Sequence, residues 1–260
     1  MKGKYTTLTT ITILLLTISA NSFFSPTSAQ TRPIPVLLIH GYFSDASVWR
    51  IWEELLETDR IPYKSITFTQ SDDGCGSARD HAMELNQIVE DFMAETRAER
   101  INIVAHSKGG LDARAYLAND LSNDAIANLI MIGTPNAGSP LANLNDFCQP
   151  AIFDLRPRSA ATNVSVNNNT NYHTIAGDWI PSRTFWTFID SNCTPEEQDW
   201  LAFQQWGSSR LAGHDDGIVP LSSVHSQGFN SLGNTDNCHT DLLSLEEYKK
   251  ARGVLLFGSE

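Results

Sequence analysis

The sequence predicts an α/β fold, a mostly parallel central sheet flanked by helices, and two observations carry that prediction. From residue 34 onward, short continuous apolar runs alternate with stretches of helical period. A continuous apolar run is the pattern of a strand buried on both faces, and strands that alternate with helices argue for a parallel sheet covered on both sides. The 260 residues are 41% hydrophobic and only 18% charged, without a low-complexity tract. Such a chain can bury a sizeable core and suits one α/β domain.

Strands are expected over Pro35–Ile39, Ser65–Thr69, Ile101–Ala105, Leu129–Ile132 and Tyr172–Ala176, and helices over Ala46–Thr58 and Asp80–Glu99. In the second helix, Leu85, Ile88, Val89, Phe92 and Met93 recur at i, i+3, i+4, i+7 and i+8, which gives one apolar face to pack on the sheet. Two excursions interrupt the rhythm. Residues 135–170 are longer than an ordinary connection between strands, and excursions of that kind often serve as lids or binding loops. Residues 179–211 hold Trp179, Trp186, Trp200 and Trp206, four of the six tryptophans. These either line an apolar pocket or form a small satellite core. The turn-rich run Asn163–Asn171 contains glycosylation sequons at Asn163 and Asn168.

Residues 1–29 have the layout of a secretory signal peptide: Lys2 and Lys4, an apolar run around Ile11–Ile18, and small residues up to Ala29. The run is interrupted by Thr and falls short of the ~20 residues that span a bilayer. Cleavage after Ala29 is expected, which leaves an exported domain at 30–260 with no transmembrane segment. The formal net charge of −12 then loses two lysines, and the remaining 16 basic and 30 acidic residues give −14. An acidic surface repels polyanions, so no nucleic-acid partner is expected and a lipid would be met by apolar contact. Cys75, Cys148, Cys193 and Cys238 fit two disulfides in an oxidising compartment. Of three connectivities, Cys75–Cys148 with Cys193–Cys238 is favoured because each would tie loops expected on one face, and the other two stay open.

The strongest local signal is INIVAHSKGGLDARAYL, residues 101–117, in which an apolar strand runs into Ala105-His106-Ser107-Lys108-Gly109 and a helix follows. Small residues two before and two after Ser107 let strand and helix approach closely enough for the serine to hold a strained backbone. The segment resembles the nucleophile elbow of the α/β hydrolases, G-x-S-x-G, with Ala105 in place of the first glycine as in some bacterial lipases. The resemblance implies an α/β-hydrolase fold with lid insertions and Ser107 as nucleophile.

A serine hydroxyl needs a base, itself oriented by a carboxylate, and in this fold the chain order is nucleophile, acid, histidine. His239 lies just before a helix whose start reads as Thr240 at the N-cap with Asp241 in the first turn. That loop is where the fold carries its histidine, so His239 is the expected base and His225 the reserve. His173 falls within an expected strand, where a packed imidazole is the simpler role, and His214 reads as a surface histidine. The run His214-Asp215-Asp216-Gly217-Ile218-Val219-Pro220 resembles the D-G-x-V-P stretch that carries the acid in many lipases, which implies Asp216. Asp178, just after the strand Tyr172–Ala176, is its rival, and Asp215 holds the loop or faces solvent.

Two backbone N–H groups must face the tetrahedral oxygen. The resemblance assigns one to Lys108 and the other to Tyr42, in the His40-Gly41-Tyr42 segment after the first strand. Gly41 permits the close approach and His40 braces the loop. The Lys108 side chain is expected to face solvent or pack over the site. His106 is not the base, since neighbours along a strand point to opposite sides. The segment Gly133-Thr134-Pro135-Asn136-Ala137-Gly138-Ser139-Pro140 resembles the G-T-P-x-x-G-S-P stretch of bacterial triacylglycerol lipases, which lies beside the site and leads into the lid.

The resemblance, carried over residues 35–243, implies a secreted serine carboxylic-ester hydrolase, lipase or esterase, that works through an acyl-enzyme on Ser107. Its substrate would be an ester or lipid, with transient contact at a lipid interface. An acyltransferase or amidase with the same triad is the alternative within enzymes, and an inactive binding module on the same fold is the alternative outside them. No cofactor is required by this chemistry. Some lipases of this type hold the histidine loop with calcium, and Asp236 and Asp241 flank His239; two acids near a helix start read more simply as a cap and a solvated charge.

Overall fold

Alternating side-chain direction along each strand decides how the two helical layers form. The structure, a computed structural model, describes residues 33–71, 74–119, 124–181, 193 and 198–258. The expected leader at 1–29 and Trp186 lie outside those residues. The strands are β1 (Val36–Ile39), β2 (Tyr63–Ile66), β3 (Ile101–His106), β4 (Ile126–Ile132), β5 (Asn171–Gly177) and β6 (Asn230–Thr235). They form one sheet in the order β2-β1-β3-β4-β5-β6, with every neighbouring pair parallel. The helices are α1 (Arg50–Thr58), α2 (Ala78–Thr96), α3 (Lys108–Ala118), α4 (Ala151–Asp154), α5 (Gln198–Ser208), α6 (Leu221–Val224) and α7 (Leu245–Phe257).

One face of the sheet carries Leu37, Ile39, Ile103, Ala105, Leu129 and Met131 against Leu85, Val89 and Phe92 of α2 and Tyr116 of α3. The other carries Val36, Leu38, Val104, Ile130, Ile132 and Ile175 against Trp52 and Leu56 of α1 and Tyr248, Ala251 and Leu255 of α7. Burying each Val, Leu, Ile, Met or Phe among these contributes roughly 1.5–3 kcal/mol, so both helical layers are fixed by the period-2 alternation of the same strands. The helix after β1 therefore covers one face and the helix after β3 the other, although β1 and β3 are neighbours. This divergence opens a crevice beyond the carboxyl ends of β1 and β3, where ligands of open α/β sheets bind.

Several elements depart from the expected ones. Strand β2 lies two residues earlier than expected, because the buried Phe68 belongs to the loop that follows it. Strand β4 starts at Ile126 rather than Leu129. Asn128 interrupts the apolar run, and its side chain is satisfied by donating to Asn102 Oδ1 at 2.8 Å. Strand β6 was not expected at all: NSLGNT is polar and largely exposed, as an edge strand can be. The stretch Ala46–Thr58 is a short 3-10 turn, Ala46–Trp49, followed by α1. The cap of α7 is Ser244, whose side chain and that of Glu247 make a reciprocal capping box, while Thr240 and Asp241 sit in a separate turn, His239–Asp241. The two disulfides are Cys75–Cys148 and Cys193–Cys238. No helix among the described residues is long and apolar enough to cross a membrane.

Candidate active site

Ser107 stands between β3 and α3 with φ 52° and ψ −126°, a conformation that costs a non-glycine residue on the order of 1–3 kcal/mol and persists only when the surroundings enforce it. Close packing does the enforcing. A Cβ on Gly109 would lie 2.3 Å from the carbonyl oxygen of His40, so only glycine lets α3 come this near the end of β1. A Cβ on Gly41 would lie 2.8 Å from Ser107 Cβ. Ala105, fully buried in β3, completes the small flank.

Three of the expected residues meet in one hydrogen-bonded chain. His239 Nε2 is 2.9 Å from Ser107 Oγ, and His239 Nδ1 is 2.7 Å from Asp216 Oδ2. Asp216 is wholly buried, and its other oxygen accepts from the backbone N–H of Ile218 (3.0 Å) and Val219 (2.7 Å). The turn therefore locks the carboxylate, and the imidazole is held in turn: His239 N–H donates to the Asp216 carbonyl at 2.9 Å. The Gln204 side chain of α5 donates to Thr240 Oγ1 at 3.0 Å, and Cys238 anchors the preceding residue through its disulfide.

The rivals are occupied elsewhere. Asp178 pairs with His214 Nδ1 at 2.6 Å, and His225 contacts Thr174 Oγ1 (2.8 Å) and Asn234 Oδ1 (2.7 Å). His173 is buried within β5. Asp215 is buried rather than facing solvent; it accepts from Gly217 N–H at 2.7 Å and so shapes the turn that presents Asp216. Burial pushes its carboxyl above the usual carboxylate value. His106 reaches the His239 carbonyl through Nε2 at 3.1 Å, and desolvation with the nearby His239 ring lowers its pKa to about 3. It stays neutral.

Among the described residues, the backbone N–H groups of Tyr42 and Lys108 donate to no protein acceptor. Phe43 N–H is instead tied to Gly74 O at 3.0 Å, and the Tyr42 hydroxyl donates to Phe147 O at 2.6 Å. His40 is buried, and its Nδ1 lies 2.9 Å from Gly41 O. The Lys108 side chain departs from expectation. It is 1% exposed, with Nζ 2.5 Å from Asp112 Oδ1 and 3.3 Å from His81 Nδ1. Neither His81 nor Asp112 was anticipated. The i, i+4 spacing of Lys108 and Asp112 was a legible signal, whereas nothing in the sequence places His81 beside them.

The excursion 135–170 is fastened over α3. The buried Arg114 donates to Asn136 Oδ1 (3.0 Å) and Thr162 O (3.3 Å), and Ile152 and Leu155 pack on Leu111. Leu144, Phe147 and Phe43 stay exposed, with the two phenyl rings in edge contact at 5.0 Å. In the second excursion Trp179 belongs to a small core with the Cys193–Cys238 bridge, while Trp200, Phe203 and Trp206 form an exposed aromatic row on α5. No group of three or more His, Cys, Asp or Glu side chains among the described residues is arranged to hold a metal ion, and Asp236 and Asp241 join none.

Sheet order, crevice and elbow define an α/β hydrolase, and the sequence agrees: the pattern of the alpha/beta hydrolase fold family matches residues 34–209, and the chain belongs to that family. It is similar to a triacylglycerol lipase of Burkholderia plantarii, 29% identical over 147 residues, which are 54% of this chain and 38% of the relative. A triacylglycerol lipase of Pseudarthrobacter phenanthrenivorans is 30% identical over 134 residues, 48% of this chain and 39% of the relative. The matched region thus spans well under half the length of either relative. Among solved structures, the mature Bacillus licheniformis lipase BlEst2 superposes with a TM-score of 0.68 at 17% identity, covering 87% of this chain and 93% of that one. A metagenomic carboxyl esterase superposes with a TM-score of 0.60 at 16% identity, covering 80% and 65%. These superpositions support the fold.

Proposed function

We propose that the chain is an exported serine carboxylic-ester hydrolase, a lipase or esterase, that works through an acyl-enzyme on Ser107. The observation that carries the reading is the Ser107–His239–Asp216 hydrogen-bond chain, set on a strained elbow beside two unused backbone donors. Ser107 Oγ attacks the ester carbonyl carbon as His239 Nε2 takes its proton. The oxyanion is held by the N–H groups of Tyr42 and Lys108, which act where charge develops. Collapse expels the alcohol, protonated by His239, and leaves the acyl group on Ser107. Water, deprotonated by His239, then releases the acid. Asp216 fixes the imidazole tautomer and stabilises the imidazolium. The route uses only side chains, backbone donors and water.

Export is supported by the leader-like layout of residues 1–29 and by the two disulfides. An apolar acyl chain is favoured by the exposed Phe43 and Phe147 beside Tyr42. The test is hydrolysis of p-nitrophenyl esters from C2 to C16 by wild type and Ser107→Ala, with emulsified triglyceride alongside and a competing alcohol or amine acceptor in a parallel series. Turnover lost in Ser107→Ala is expected. The chain-length optimum and triglyceride activity separate lipase from esterase, and partition toward the added acceptor would favour the acyltransferase reading.

A further inference from the structure

Beneath the elbow lies a cluster of charged and aromatic side chains with no part in the proton transfers above. Lys108, Asp112 and His81 are each about 1% exposed. The Asp112 carboxylate is shared, with Oδ1 2.5 Å from Lys108 Nζ and Oδ2 2.9 Å from His81 Nδ1. Burial alone would push this carboxyl up, but the Lys108 ammonium and His81 more than offset it and hold it below its ordinary value. Asp154 of α4 faces the same cluster and accepts from Ala78 N–H at the start of α2. A buried ion pair of this kind contributes little net stability against an apolar pair of the same volume, so its presence asks for a second reason.

Contacts leading away from the cluster supply one. The His81 ring stacks on Phe68, with centroids 3.8 Å apart and planes at 11°. Phe68 in turn meets the edge of His40 at 5.4 Å. His40 immediately precedes Gly41 and Tyr42. A continuous set of contacts therefore runs from the residue after the nucleophile, through α2 and the loop after β2, to the loop after β1. One end is Lys108 itself and the other is His40, two residues before Tyr42, so the path joins the two segments whose backbone donors are assigned to the oxyanion. Gly76 leaves room for the arrangement, since a Cβ there would lie 2.5 Å from His81 Nε2.

We propose that Asp112 and His81 are positioning residues for the oxyanion hole: they anchor the Lys108 side chain under the elbow and, through Phe68 and His40, set the spacing between the Lys108 and Tyr42 N–H groups. The proposal rests on the ester-hydrolase reading. Donors aimed at the oxyanion matter more in the transition state than in the ground state, so a spacing error lowers kcat rather than raising KM.

The experiment compares wild type with His81→Ala, His81→Phe and the double variant Lys108→Met/Asp112→Leu, on a p-nitrophenyl ester and with an alkyl boronic acid as tetrahedral analogue. The double variant replaces the ion pair by apolar side chains of similar volume, so that neither charge is left buried alone, and circular dichroism and Tm check its fold. Expected in His81→Ala and in the double variant is a kcat loss of about tenfold to a hundredfold, below the ~10²–10³ of deleting a donor outright. KM should stay within about twofold, and boronate affinity should fall by the same factor as kcat. His81→Phe, which keeps the stack on Phe68, should recover part of the loss. Unchanged kcat and boronate affinity in a folded variant, even with a lowered Tm, would overturn the positioning role while leaving the hydrolase reading intact. A wild type that hydrolyses no ester and binds no boronate would overturn both.

Discussion

Replacing Asp216 by Asn probes the tautomer rather than the fold. Asp216 Oδ1 accepts the N–H groups of Ile218 and Val219, so an asparagine keeps its amide oxygen there and turns its NH2 toward His239 Nδ1, at the position now 2.7 Å away. An NH2 can only donate, so the imidazole must place its own proton on Nε2, facing Ser107 Oγ at 2.9 Å. No base remains for the serine. The expected loss is ~10⁴ in kcat, or about 5.4 kcal/mol at about 1.36 kcal/mol per factor of ten. Asp178→Asn is the control, because that carboxylate serves His214. Steady-state kinetics on a p-nitrophenyl ester, with circular dichroism and Tm to certify the fold, should give the large loss for Asp216→Asn and a change within about twofold for Asp178→Asn. An Asp216→Asn protein that kept a tenth or more of wild-type kcat, with Asp178→Asn inactive, would refute the assignment.

Three further outcomes follow from the packing and charge. His106, with its pKa lowered to about 3 from an ordinary 6.5, should keep neutral-ring nitrogen shifts in NMR titration down to about pH 4. The unfolded chain then binds the extra proton and the native state does not, so this residue makes stability fall as pH drops from 6.5 toward 3, and His106→Phe should flatten that slope in urea titrations. Gly109→Ala drives a Cβ against the His40 carbonyl at 2.3 Å; because the obstacle is backbone, the cost should reach about 3 kcal/mol, read as a lowered urea midpoint together with lost activity. Replacing Cys75 and Cys148 by Ser opens a loop of sequence separation 73, for which chain entropy gives about 4 kcal/mol of lost stability. Because this bridge adjoins Gly74, which receives Phe43 N–H, kcat should fall even where the variant stays folded.

The core strands and the elbow were legible in the sequence because their requirements are local. Ile101, Ile103 and Ala105 must be apolar on one face of β3 and Val104 on the other, Gly109 must be small against the His40 carbonyl, and the Asp216 turn needs Gly217, which adopts φ +91°. Strand β6 was not legible. An edge strand pairs through its backbone, and NSLGNT carries no apolar signal for it. Strand β4 was read too short because a side-chain amide pair, Asn128 with Asn102, replaces an apolar contact inside the sheet. The Lys108 side chain was misplaced for a related reason. A lysine reads as solvated until a carboxylate one helical turn on and a histidine from another helix are seen to enclose it. Tertiary partners of buried polar groups are set by the fold, so sequence spacing reveals at most the i, i+4 member.

The central claim is that Ser107 is a nucleophile activated by His239. Its most direct test is treatment of the protein with a serine-directed fluorophosphonate, followed by intact mass and peptide mapping. A single adduct on Ser107, absent in Ser107→Ala and strongly slowed in His239→Ala, is the predicted result. No adduct on folded wild-type protein, or an adduct formed equally well without His239, would contradict it.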